Sequence, residues 1–431
     1  MVNPVVLAAV GAIAIPFVLP QARRLSCWFM LFLPFVWLYV VGGEFYLAAE
    51  APDNASSSGT MRMAVWITPI LLLLGAGLVE LMIPAAHRDS LFRRVELPRT
   101  EIHPTAHLII CGIGVVLVCA NLIYVAQNFG SFTTLATSGG SRQEIMSMRA
   151  EVAQGGGYLP AVLRGALGPC MALYFALDYI DSERSFADSW RLIVPATELL
   201  ARFATLHRSP AIFLLAMLLL ASRRRVGINT RTAVGLAPIL GLIFIFISFY
   251  TSFIDGQDFS YGAEAVWDRI VLAPNFGLWN YFEVFPAIAP HTGGGNINVV
   301  NQLFMGGAVI PANLYIPSIV YGVSGASWNA VFIADLWADF GWPGMIIGPL
   351  VIAAILRLLD VYYSYYQHDR FAQACWFGTM FGLISALSAG FFSSLLSKGG
   401  VAVMFLLFLV MPKARKQEGS LMRTPGPVAV E

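Results

Sequence analysis

Apolar runs of membrane-spanning length, divided by short polar stretches, recur along most of this chain. A spanning helix needs about 20 predominantly apolar residues. Eleven segments approach that length: residues 3–20, 27–48, 63–84, 105–127, 159–180, 189–206, 209–222, 232–252, 342–363, 372–391 and 399–412, the seventh and eleventh being short. They show neither an inverted pair of interrupted helices nor a repeat at a fixed period. The pattern predicts an all-α, polytopic helix bundle, one transmembrane domain over residues 1–412. Residues 413–431, with Gly419, Pro425, Gly426 and Pro427, read as a short disordered cytoplasmic tail. The opening run has no basic stretch ahead of it and no small-residue cleavage motif after it, so it is expected to be a retained span.

Two interruptions are long enough to fold by themselves: residues 128–158 and residues 253–341. The second is aromatic and Gly-rich, with Arg269 as its only basic residue and His291 as its only imidazole. A solvated linker does not carry Trp267, Trp279, Tyr281, Tyr315, Tyr321 and Trp328, because those rings need an apolar resting place. Short helices lying over the membrane face of the bundle are therefore expected here.

Composition agrees with the pattern. A hydrophobic fraction of 58%, a charged fraction of 12% and a mean hydropathy of +0.71 exclude a soluble globular protein. The net charge of +1 gives no field that would draw nucleic acid or an acidic soluble partner. All five cysteines (27, 111, 119, 170 and 375) lie inside apolar runs, without disulfide or metal-ligand spacing. Basic clusters at Arg23-Arg24, Arg88 to Arg99, Arg184 and Arg191, Arg223 to Arg231, Arg370, and Lys413 to Arg423 alternate with the spans. This threading puts about 17 of the Lys and Arg on the cytoplasmic side, about 6 on the far side and about 3 within spans. The N-terminus then faces the periplasm and the C-terminus the cytoplasm.

The remaining charges carry candidate chemistry. Arg142 and Arg149 are seven residues apart, which places both guanidinium groups on one helical face about two turns apart. That face either grips an anion or is a solvated interfacial surface neutralised by Glu144 and Glu151. His207-Arg208-Ser209-Pro210 falls at the outer end of a tight turn; Arg208 suits a phosphate, and Pro210 opens the following helix, or else Arg208 snorkels to headgroups. Within the spans Glu198 and Arg202, at i and i+4, read as an ion pair, while Arg164 either snorkels outward or lines a cavity. Arg269 has Glu264 and Asp268 as local partners. His291, in a Gly-rich turn, can exchange protons near neutral pH. Asp335 and Asp339 share a helical face, as acid–base or metal-binding carboxylates would, although the outer face has no Asp-x-Asp pair to make a metal site.

With those residues laid out, the chain resembles the Wzy-type oligosaccharide repeat-unit polymerases of bacterial surface polysaccharides, O-antigen and exopolysaccharide polymerases among them, and more distantly the O-antigen ligases. The resemblance spans most of the chain in hydropathy and loop plan, and is specific at three places. Leu206-His207-Arg208-Ser209-Pro210 is similar to the family's Ser-Arg-small turn, with His in place of Ser. Residues 142–158 are similar to its first long periplasmic loop. Asn313-Leu314-Tyr315, followed by residues 334–344, is similar to its closing aromatic, acidic, Phe-Gly-x-x-Gly stretch.

The resemblance implies a GT-C-like membrane glycosyltransferase in the bacterial inner membrane, without cofactor or metal. It would transfer a growing glycan from undecaprenyl diphosphate onto a lipid-linked repeat unit at the outer face. His291 and Arg208 are then the expected catalytic pair, with Arg142, Arg149, Arg269, Tyr315, Asp335 and Asp339 binding substrate. A flippase and a chain-length regulator are the implied protein partners. The competing readings are a lipid-linked oligosaccharide flippase or transporter and a ligase-like glycosyltransferase.

Overall fold

The computed structural model describes residues 24–25, 27–50, 56–82, 104–138, 163–181, 186–204, 228–229, 258–322, 328, 330–365 and 369–410, with single positions between 214 and 252. Nearly all of them are helical. The exception is a two-residue antiparallel pairing of β1 (Arg24–Leu25) with β2 (Ile228–Asn229), which joins two segments that the sequence places on the same, basic side.

The first described helix, α1 (Cys27–Phe35), runs through a π-helical turn at Val36–Val41 into α2 (Gly42–Ala49) with helical backbone at both junctions. There follow α3 (Ser56–Met82), α4 (Pro104–Ser138), a π-turn at Leu163–Leu167 leading into α5 (Gly168–Asp181), and a 3-10 turn at Phe186–Leu192 leading into α6 (Ile193–Ala204). Four helices are long and apolar enough to cross a membrane: Leu31–Ala49, Ser56–Met82, Thr105–Phe129 and Trp342–Tyr363. They coincide with the second, third, fourth and ninth expected spans. Their outer faces suit hydrocarbon. On α3, Met63, Ile70, Leu74, Leu78 and Leu81 form an exposed apolar stripe while Met61, Ala64, Val65, Leu72 and Val79 are buried.

Eleven full spans are not seen among the described residues. The fifth and sixth begin, among the described residues, with a π-turn and a 3-10 turn. The tenth, α13 (Arg370–Ile384), gives way to a 3-10 turn at Ser385–Leu387, where the Ser385 hydroxyl donates to the carbonyl of Gly382 at 2.6 Å. The eleventh is α15 (Gly400–Val410). A hydropathy window averages over such polar interruptions. The first and seventh spans, most of the eighth, the tail and residues 139–162 fall outside the described residues, and α4 continues to Ser138, into the expected first loop.

Ion-pair clusters tie helices together at Asp178 and at Arg357. Asp178 receives Arg370 at 3.0 Å and Arg191 at 3.2 Å, so the basic stretches around Arg191 and Arg370 meet on one side, as the threading requires. On α12 (Trp342–Tyr365), Arg357 pairs with Glu80 of α3 and with Asp360, which also accepts the Trp28 N–H at the start of α1.

A cap of short helices lies between the spans: α7 (Phe259–Trp267), a π-turn (Asp268–Leu272), α8 (Ala273–Val284), α9 (Asn298–Phe304), α10 (Ala312–Tyr321) and α11 (Phe332–Phe340). The short helices are as expected, yet the cap does not merely lie over the bundle. Leu278, Tyr281 and Val284 of α8 are buried, and Asn275 donates to the Leu38 carbonyl of the first π-turn at 2.9 Å. Helix α8 carries one formal charge, Glu283, which is not buried, so its apolar face sinks into the core without stranding an ion.

Candidate functional site

Helix α11 organises the site. Its Asp335 and Asp339 are one turn apart and face the same small cavity, which Asn296, Phe332, Gly390 and Ser393 also line. The cavity measures about 10 Å³, room for roughly one water and none for a sugar.

Asp339 is the knot of the loop before α9. Its carboxylate accepts the Thr292 hydroxyl, the Asn296 backbone N–H at 3.0 Å, the Asn296 side-chain amide at 2.9 Å and the Gly294 N–H. The backbone doubles this link, with Thr292 N donating to Ala338 O and Gly293 N to Asp339 O, both at 2.9 Å. Burial raises the Asp339 carboxyl above the usual range, and these donors oppose the rise. Asn296 carries the connection outward: its side-chain oxygen accepts the Ala312 N–H at 2.6 Å, and its carbonyl accepts Ser393 Oγ at 3.0 Å from α14 (Phe391–Ser397).

Asp335 is placed differently. Its carboxyl accepts the hydroxyl of the deeply buried Tyr281 and abuts Gly390, where any Cβ would overlap Oδ2. Burial first, and then the nearby Asp339, push its pKa up to about 8, so Asp335 holds a proton at neutral pH. One side of the pair is thus a neutral acid beside a heavily hydrogen-bonded carboxylate.

His291 sits at the other end of the same loop. Its ring stacks on Phe285 at 6.4 Å, meets Trp337 edge-on at 5.6 Å, and has Nε2 over Gly341. Gly341 closes α11 at φ +60°, a conformation other residues disfavour, and a Cβ there would stand 2.8 Å from Nε2. Trp337 is itself fixed by its indole N–H, which donates to Phe285 O at 2.9 Å. Nδ1 of His291 is buried and has no hydrogen-bond partner among the described residues. Tyr315 of α10 packs on the same Phe285 at 6.4 Å, so Tyr315 and His291 share one aromatic support.

Four of the residues singled out from sequence, His291, Tyr315, Asp335 and Asp339, are therefore brought together. Arg269 is not: it is exposed on the Asp268–Leu272 turn, and among the described residues it makes no ion pair, so the expected pairing with Glu264 or Asp268 is corrected. Arg142, Arg149 and Arg208 lie outside the described residues. Glu198 and Arg202 do pair, at 2.8 Å through Nε, with Asn121 donating to the other carboxylate oxygen at 2.9 Å. Arg164 lies over the Tyr124 ring at 3.9 Å.

Sequence reasoning missed Thr292, Asn296, Gly390 and Ser393 and gave Tyr281 no polar role. Asn296 follows three glycines, a usable hint of a structured turn. Ser393 and Gly390 are nearly a hundred positions downstream and carry no local signal.

No protein family, curated protein or solved structure matches the chain. No group of three or more His, Cys, Asp or Glu able to hold a metal occurs among the described residues.

Proposed function

We propose that this protein is a membrane glycosyltransferase of the polysaccharide-polymerase kind, transferring a glycan from undecaprenyl diphosphate to a lipid-linked repeat unit at the periplasmic face of the inner membrane. The observation that carries the reading is the convergence, on one charge-poor cap, of a rigidly boxed imidazole with an Asp pair of which one member keeps its proton. In this reading Nε2 of His291 takes the proton of the acceptor hydroxyl. The hydroxyl oxygen forms the new bond to the anomeric carbon, the bond from that carbon to the diphosphate oxygen breaks, and the electron pair leaves on the diphosphate. Arg208, with Arg142 and Arg149, meets the charge that develops there. Tyr315 offers a flat face to a sugar ring, Asp339 holds the loop that aims His291, and Asp335 stands beside it as the neutral acid.

The test is reconstitution of the protein with lipid-linked repeat units, followed by sizing of the glycan. Products longer than one unit, lost in His291→Ala and in Arg208→Ala and not fully restored in Arg208→Lys, are expected. Lipid-linked units moved across the bilayer but never joined would replace this reading with a flippase, for which the buried Glu198–Arg202 pair is the favouring feature.

A further inference from the structure

We infer that the last turn of α9 and the loop joining it to α10 form a wedge that rests in lipid hydrocarbon on the cap side of the bilayer. Residues 284–334 contain no Asp, Glu, Lys or Arg. Among the described residues of that stretch, large apolar side chains stand well exposed beside the uncharged Gln302: Phe304 is 81% exposed, Leu303 71%, Ile310 60% and Ile288 57%. Such a surface offers nothing to a headgroup phosphate or to a charged protein face, and water solvates it poorly.

The exposure belongs to a fixed shape. Asn301, itself buried, clamps the loop by donating to Val309 O at 2.7 Å and accepting the Val309 N–H at 3.3 Å. Gly307 N closes on Asn301 O at 3.0 Å and Ala308 N on Met305 O at 3.1 Å, while Gly306 and Gly307 take the positive φ that the bend requires. A loop closed so tightly cannot turn Leu303 and Phe304 inward. Helix α9 also packs against α14, which leads into a helix with an exposed apolar face. The turn before α9 is hydrogen-bonded to α14 through Ser393, and α14 leads at Gly399 into α15, whose exposed Val401, Phe405 and Leu409 recur every four residues on one face. Hydrocarbon is the one occupant that matches both the absence of charge and this position beside a lipid-facing stripe.

The experiment places a photoreactive benzoylphenylalanine at position 304 of the full chain in native membranes, with Phe405 as the lipid-facing comparison, and identifies adducts by intact mass. Phospholipid adducts at both positions are expected. A cross-link from position 304 to another protein, or no adduct there while position 405 reacts, overturns the inference. As a second measurement independent of photochemistry, Phe304→Cys is treated in membranes with a charged, water-soluble maleimide. Labelling no greater than that of the wild-type cysteines supports the wedge, and strong additional labelling refutes it. Neither readout depends on what reaction the protein performs.

Discussion

Replacing Asp335 with Asn removes a proton site while keeping its shape, since an Asn oxygen still accepts from Tyr281 and its amide can donate to Asp339. In the wild type the carboxyl moves from an ordinary 3.8 to about 8 on folding. The folded protein therefore holds a proton that the unfolded chain has released, so stability is full below pH 3.8 and falls as pH rises through the folded pKa. The slope for one proton is about 1.4 kcal/mol per pH unit and halves at the folded pKa, so about 2 kcal/mol is lost between pH 6 and pH 8, levelling off above that. The whole shift of about four units corresponds to an upper bound of about 5–6 kcal/mol. Thermal unfolding in lipid nanodiscs across this range, for wild type and Asp335→Asn in parallel, isolates Asp335 with its coupled neighbours Asp339 and Tyr281, because the remaining titrations are common to both. The wild type should lose stability with rising pH and the variant should be flatter, with the gap widening toward pH 8. Parallel profiles would refute the claim that Asp335 is a neutral acid, and with it the proton-holding half of the proposed site.

Asp339→Ala strands the buried Asn296 and Thr292 donors and should cost about 2–4 kcal/mol, with a larger loss of transfer activity than of folded protein, read by comparing nanodisc melting with polymer yield. Gly341→Ala combines an unfavourable φ with a collision at His291 and should cost about 1–3 kcal/mol; unchanged stability and activity would show that the imidazole is not boxed as described. Glu198→Ala leaves Arg202 buried without its carboxylate and should destabilise by about 3–5 kcal/mol, whereas Glu198→Ala with Arg202→Leu should recover much of that in the same melting assay.

Much of the architecture was legible because lipid is a simple solvent. It demands long apolar helices and gathers Lys and Arg on one side, so the helical class, the four long helices and the meeting of Arg191 and Arg370 at Asp178 all follow from the residue pattern. The i, i+4 pairing of Glu198 with Arg202 was equally local. The change from α13 to a 3-10 turn at Ser385–Leu387 was not legible, because hydropathy averages it away.

The site divides in the same manner. The sequence by itself marked His291, Tyr315, Asp335 and Asp339 as conspicuous in a charge-poor segment, and it put the two carboxylates on one face through helical spacing. Only tertiary structure decided what each does. Asp335 and Asp339 have the same side chain, one turn apart, yet the first is kept neutral by burial and by the neighbouring Asp339, against the opposing Tyr281 hydroxyl, while the second gathers four donors from a loop more than forty residues upstream. Those partners are distant in the chain, and the energetic difference between two identical carboxyls lies wholly in desolvation and hydrogen bonds that the chain supplies only once folded.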